Sequence, residues 1–458
     1  MALNQYTPEE PISSIATALA PAALGIVRVS GKGCIELVSK VFSRPKALLE
    51  APGNTLVYGW IQKIDEVMCA VYRAPKSYTG EDMVEIFCHG GPAVVTAIQN
   101  LMLKSGFRQA NRGEYTFRAY INGKTDLTKA EAVREIIDSH TDDSRSHAAG
   151  RLAGALYEEI DSIKKLIVDT VAAIEVEIEY PEDEENFSDT FDCSNLEQAV
   201  NRLQSLVDSW KGEKLYQDGA RVVLAGRTNA GKSSLFNAIL KEERAIVSDI
   251  EGTTRDWLES WASINGIPVR LFDTAGLRDT EDIIEAKGVE ISKSLVHEAD
   301  VVLYLIDSSE GMNEEDKAFV ENCTVPLIIA WTKTDLPSLR GATPVSLSGL
   351  TRQSLTCTVS SKTGQGMAEL FNQIQTLLTA GLSTERTQAG LGSARQKDAV
   401  TEALERVKHA LAAASDDYSL DAVVQDLEDA LDSLGEVTGI VTPDDVLGTI
   451  FANFCVGK

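Results

Sequence analysis

Residues 226–234 read GRTNAGKSS, which fits the spacing G-x-x-x-x-G-K-[ST]. That spacing suits phosphate chemistry, because glycines let backbone N–H groups close around phosphate oxygens. Lys232 is placed to neutralise the β- and γ-phosphates and Ser233 to ligate Mg²⁺, with Asn229, Ala230, Gly231 and Ser234 completing the cradle. Four further segments follow in order. EGTTRD (251–256) supplies Thr254, which could also reach Mg²⁺. DTAG (273–276) offers Asp273 to the metal's outer shell and the Gly276 N–H to the γ-phosphate, with Thr274 and Ala275 between them. TKTD (332–335) carries Thr332, Lys333 and Asp335, whose carboxylate can accept from the N1–H and exocyclic amine of guanine. Ser360, Ser361 and Lys362 form the last segment. A base-reading aspartate makes the expected nucleotide GTP rather than ATP.

Two positions depart from the small switch proteins. Where they carry a water-orienting glutamine after DTAG, this chain has Leu277, so another group must hold the water, and RDTEDIIEAKG just downstream is the obvious source. No arginine finger is evident either. Asn229 could ligate a monovalent cation in its place, or could simply be a turn residue. A separate candidate is Cys455 in FCVGK, the fourth residue from the end, as in a prenylation-type motif. Lysine is a poor final residue for such a motif and Gly457 is not aliphatic, which leaves an unremarkable thiol or a reactive one.

These residues need strands and helices to hold them. ARVVLAG, PVRLFDTAG, DVVLYLID and PLIIAWTKTD are short aliphatic runs separated by helical periodicity, the pattern of a parallel sheet with crossovers. Before them, GIVRVSG and DMVEIFCHGG predict strands, and PAVVTAIQNLMLKSG predicts a helix. From about Leu127 helical spacing continues for some fifty positions, and a second helix is predicted over Leu196–Trp210. Helical texture resumes after Leu378. The expected architecture is an α/β and all-α multidomain chain. An N-terminal α/β domain covers 1–122, and a helical domain is made of 123–218 and 381–458. A Ras-like P-loop G domain at 219–380 interrupts that helical domain.

Composition narrows the classes. The apolar stretches are too short to span a bilayer, and the first residues resemble neither a secretory signal nor a transit peptide. Seven scattered cysteines without a Cys-x-x-Cys pair fit a reducing cytosol, so no membrane and a cytoplasmic location are expected. A formal charge of −26 works against generic nucleic-acid binding, and the acidic run Glu177–Asp192 reads as a solvated loop.

GRTNAGKSSLFN, GTTRD, DTAGLR, YTGEDMVEIFCHGGP, RGEYTFRAYINGKTDLTKAEAV and FCVGK together make the chain resemble the MnmE (TrmE) family of tRNA modification GTPases over essentially its whole length. The resemblance implies a homodimer formed through N-terminal domains that bind a one-carbon tetrahydrofolate. It also implies an FAD-dependent partner, MnmG, in a heterotetramer or larger complex. Together they would add an aminomethyl or carboxymethylaminomethyl group at C5 of the wobble uridine of certain tRNAs. The implied folate is 5,10-methylenetetrahydrofolate, with 5-formyltetrahydrofolate as analogue. By the same resemblance potassium (K⁺) replaces an arginine finger, held by Asn229, Ser248, Ile250 and Thr253. Asp249, Glu251 and Gly252 belong to the same nucleotide-facing loop. Glu285 would orient the attacking water through a bridging water. Arg28, Glu85, Lys124 and Lys458 match the folate-binding positions, and Cys455 the required cysteine. A carboxylate such as Glu85 suits the 2-amino/N3–H edge of a pterin. The helix beginning near TPDDVLGTIFANF is expected to deliver Cys455 as a buried-site thiol.

The chain departs from the family pattern in three places. Thr332 stands where asparagine usually opens the guanine motif, APAAL replaces a glycine-rich stretch, and SSK replaces Ser-Ala-Lys. The loss of an amide at position 332 predicts at most weaker nucleotide binding. The competing reading is an Era-like GTP-dependent switch in ribosome assembly or stress signalling, without one-carbon chemistry.

Overall fold

The computed structural model describes residues 10–179, 193–242, 259–273, 294–336, 354–382, 389–415, 420–442 and 444–457. The chain divides into two compact units. The first comprises Met1–Arg134, Arg151–Gln204 and Ser393–Lys458; the second comprises Glu135–Gly150 and Ser205–Gly392.

In the first unit, β1 (Ile12–Ile15), β2 (Ala22–Ser30), β3 (Thr55–Ile61), β4 (Asp65–Tyr72), β5 (Met83–Gly90) and β6 (Arg108–Gln109) form one sheet. Its order is β3-β4-β5-β2-β1-β6, antiparallel except for β1 beside β6. GIVRVSG and DMVEIFCHGG are therefore neighbours, and their register sets Arg28 directly opposite Glu85. The helix Pro92–Lys104 starts on proline, which needs no helical partner for its missing N–H. It presents Val95, Ile98 and Met102 to a core that includes Val27, Val29 and Ile86.

The helix Glu114–Ile121 carries a buried charge network. Glu114 accepts from Arg108 Nη2 at 2.5 Å, from Arg118 Nη2 at 2.9 Å and from the Asn111 N–H at 2.8 Å. Burial pushes the Glu114 carboxyl up, but Arg108, the Asn111 N–H and Arg118 outweigh it and hold it below the usual carboxylate range. A depressed carboxyl contributes stability that is full above the ordinary glutamate pKa of about 4.3 and drains away as pH falls through the folded value. Glu114→Gln should therefore destabilise the protein by roughly 3–5 kcal/mol near neutrality, by stranding buried arginine charge. Urea melts at pH 7 and pH 3.5 check this: the gap between the variant and the native protein should narrow at the acidic end, and an equal gap at both pH values refutes it.

The fifty-residue helical stretch is broken in two places, giving helices Leu127–Asp138, Asp142–Ala153 and Ala155–Glu179. Thr141 caps the second by accepting from the Ser144 N–H at 3.1 Å, and Gly154 separates the second from the third at φ +109°. The first break lies in the wholly polar run Asp138–His147 and the second at a single glycine, and helical spacing on either side hid both. The predicted Leu196–Trp210 helix is longer, spanning Ser194–Asp218. Within the first unit, the helices Ala155–Glu179 and Ala394–Ser415 both pack on Leu420–Thr438, with Leu427 and Leu434 fully buried. Glu131 ties the helix Leu127–Asp138 to this bundle through Arg395 Nη2 (2.9 Å).

In the second unit, β7 (Ala220–Gly226), β8 (Glu259–Ile264), β9 (Ile267–Asp273), β10 (Val301–Asp307), β11 (Leu327–Thr332) and β12 (Ser354–Thr358) form a sheet ordered β12-β11-β10-β7-β9-β8. Only the β8–β9 pair is antiparallel. β10 is buried along its whole length, which explains why VVLYLID has no polar alternation. Helices Lys232–Glu242 and Met367–Leu378 supply Leu235, Ile239, Leu370 and Ile374 to the core on one face. None of the described helices is long and apolar enough to cross a membrane.

Candidate nucleotide and thiol sites

The motif residues of the second unit gather at the carboxyl ends of adjacent parallel strands. The P-loop leaves β7, Asp273 ends β9, Asp307 ends β10 and Thr332 ends β11. β7 has β9 on one side and β10 on the other, so the chain switches direction there, where doubly wound sheets bind ligands. Gly226 turns the chain out of β7 at φ +137°, and a Cβ at that position would lie 2.5 Å from the Leu305 carbonyl oxygen. The strand-to-loop turn therefore requires glycine.

Inside the loop, Asn229 adopts a left-handed conformation at φ 64°, one that asparagine tolerates better than most residues. It thus has the backbone of a turn residue, with an exposed side chain. Lys232 is buried, and its Nζ donates to the carbonyls of Gly226 and Arg227, each at 2.8 Å. Ser233 Oγ donates to Asp273 Oδ2 at 2.8 Å. A hydroxyl beside a carboxylate supplies hard oxygen donors of the kind Mg²⁺ selects. Ala230 is buried, Ser234 is exposed, and Gly231 faces the Thr332 side chain.

The TKTD segment is tied to its neighbours at three residues. Thr332 Oγ1 donates to the Ala230 carbonyl at 2.7 Å, so threonine ties this strand end to the P-loop. Lys333, at φ 56°, reaches Asp307 Oδ2 with its ammonium at 2.7 Å. Burial pushes the Asp307 carboxyl up, yet Lys333 and Ser309 hold it below the usual range. Asp335 Oδ1 accepts from the buried Ser360 hydroxyl at 2.8 Å, which joins TKTD to SSK; Ser361 is half-buried and Lys362 exposed. Asp307 was missed by motif reasoning. Its signal was a lone carboxylate closing an otherwise apolar strand.

In the first unit, Arg28 Nε and Nη2 both donate to Glu85 Oε1, at 2.9 and 2.7 Å. Arg28 Nη1 donates to the Gly457 carbonyl at 2.8 Å, which brings the FCVGK segment to the pair. The guanidinium carbon lies 5.7 Å from the Tyr78 ring centre and 5.6 Å from that of Tyr115. Tyr72 donates to Glu85 Oε2 at 3.3 Å. These three tyrosines were not among the expected site residues. Lys124 has a different partner, donating to the Pro75 carbonyl at 3.1 Å from an exposed position. The helix Asp444–Ala452 does lead to Cys455, but the thiol is exposed, which corrects the expected buried thiol. Phe451 and Phe454 instead fill the buried space, with Phe451 edge-on to Phe117 at 5.2 Å. All seven cysteines are free.

The remaining expected residues lie outside the described ones: Ser248, Asp249, Ile250, Glu251, Gly252, Thr253, Thr254, Thr274, Ala275, Gly276, Leu277, Glu285 and Lys458.

Two family models match. Residues 11–124 match the GTP-binding protein TrmE N-terminus, and residues 127–455 match the MnmE helical domain. The tRNA modification GTPase MnmE of Treponema denticola is 49% identical over the full length of both chains. That of Treponema pallidum is 42% identical, again over the whole of both. Among solved structures, Aquifex aeolicus Era bound to GDP·AlF₄⁻ is 25% identical, covering 41% of this chain and 66% of its own, with a TM-score of 0.28.

Proposed function

The chain belongs to the MnmE (TrmE) family of tRNA modification GTPases, and from that premise we propose that it couples GTP hydrolysis to one-carbon modification of a tRNA wobble uridine. The observation that carries the GTPase half is the collection of Lys232, Ser233, Asp273, Thr332 and Asp335 at neighbouring strand ends. GTP would take over the Lys232 ammonium from the two loop carbonyls, and Asp335 would read guanine. Ser233 and Thr254 would hold Mg²⁺, with Asp273 accepting from the outer shell. Mg²⁺ supplies charge neutralisation on the β- and γ-oxygens.

Asn229, Ser248, Ile250 and Thr253 would hold potassium, which supplies the positive charge an arginine finger gives elsewhere. Glu285 would fix the attacking water, whose oxygen bonds to the γ-phosphorus as the bond to the β-bridging oxygen breaks. The test is GTP turnover in potassium against sodium. Potassium should stimulate by about tenfold or more, and Asn229→Ala should erase the difference. Equal turnover in both salts, or a potassium response that survives the substitution, removes the cation from the mechanism.

The modification half rests on the first unit. Arg28, Glu85, Lys124 and Lys458 would bind 5,10-methylenetetrahydrofolate, with Glu85 toward the pterin edge and the cations toward the glutamate tail. The folate supplies the carbon, and Cys455 would act as the site's thiol. The protein would work as a cytoplasmic homodimer with the FAD-dependent MnmG. With a charge of −26 on this chain, the partner would contribute most of the basic surface that holds tRNA. Titration with 5-formyltetrahydrofolate by calorimetry checks this half, and the absence of binding would leave only the nucleotide switch.

A further inference from the structure

Residues 455–457 are pinned from several directions. The Gly113 N–H reaches the Cys455 carbonyl at 3.4 Å, and Val456 pairs with Arg112 in an isolated antiparallel bridge. The Gly457 carbonyl is held by Arg28 Nη1 at 2.8 Å. Gly457 itself stands at φ +96°, and a Cβ there would lie 2.7 Å from the Ile15 carbonyl oxygen and 3.0 Å from the Ala16 Cα. Those are backbone atoms of the first sheet and its edge, so they cannot swing aside as a side chain would. Arg28 is fixed in turn by its fork on Glu85, by the rings of Tyr78 and Tyr115, and by the Tyr115 hydroxyl, which donates to the Arg28 carbonyl at 2.8 Å.

The geometry points to Gly457 and Arg28 as positioning residues that clamp the main chain presenting the Cys455 thiol. The thiol is aimed by its backbone: that backbone is held on both sides, while the sulfur stands exposed. Arg28 therefore has a task besides any contact with a ligand, and the task needs a guanidinium. Lysine has a single ammonium on a flexible stem and cannot reproduce the planar fork on Glu85 while also serving the Gly457 carbonyl. This inference rests on the reading of Cys455 as the thiol of the modification site, and it says what orients that thiol.

The test compares the full-length native protein with Gly457→Ala and Arg28→Lys. Alkylation of Cys455 by iodoacetamide is followed by mass spectrometry of its peptide, and tRNA modification is assayed with the flavoprotein partner. A cooperative melt certifies that each variant is folded. Release of the clamp should change the alkylation rate of the exposed thiol by about threefold or more in both variants. Modification by Gly457→Ala should fall by on the order of tenfold to a hundredfold, the scale of a displacement near 1 Å. Alkylation that is unchanged in both variants overturns the clamp, as does full modification by a Gly457→Ala protein whose thiol reactivity has changed. Retention of modification by Cys455→Ser would instead overturn the functional reading, while the alkylation rates would still decide the clamp.

Discussion

Lys232→Ala should lower GTP turnover by about 10²–10³-fold, the scale of removing a positioned electrostatic group from a transition state. The ammonium is buried and already aimed, held by the Gly226 and Arg227 carbonyls at 2.8 Å each. Phosphate oxygens would replace those carbonyls, so the charge needs little rearrangement when nucleotide arrives. Alanine removes the charge that the phosphates would meet, so affinity should fall along with turnover. Phosphate release at saturating GTP, beside a fluorescent-nucleotide titration, separates the two effects. Turnover within about threefold of native at saturation would mean that this loop is not the hydrolytic site.

Cys455→Ser should carry the second large effect: tRNA modification falls by at least about 10²-fold while GTP hydrolysis stays near normal. The substitution is informative because the segment is held through the Cys455 carbonyl, Val456 and the Gly457 carbonyl. A serine hydroxyl should therefore occupy the thiol's place on an undisturbed backbone, but it ionises far less readily than a thiol. Wobble-uridine nucleosides from cells complemented with the variant give the first readout, and phosphate release gives the second. Loss of both activities together would make the cysteine structural.

Much of the second unit was legible because its signals are local. Apolar runs such as VVLYLID marked the strands, and the residue at the end of each run was the one that mattered. The Arg28–Glu85 pair was not legible as a pair, since strand register places those residues opposite each other across 57 positions of sequence. The Arg28–Gly457 contact spans 429 positions and ends on a carbonyl, a group that no side-chain pattern reports. The same holds for Lys124, whose partner is the Pro75 carbonyl. Exposure of Cys455 was misjudged because Phe451 and Phe454 fill the interior that the thiol was expected to enter. Thr332 was read as a lost amide, whereas its hydroxyl supplies a bond to the P-loop.

The Ser360–Asp335 bond has a consequence for selectivity. An aspartate free to rotate would have to be immobilised each time guanine docked, and that entropy would be subtracted from affinity on every catalytic cycle. Here a hydroxyl from the end of a neighbouring strand holds one carboxylate oxygen, and folding orders the side chain once. If Asp335 reads the base as proposed, discrimination would be prepared before nucleotide arrives: an adenine would meet an acceptor that is already aimed.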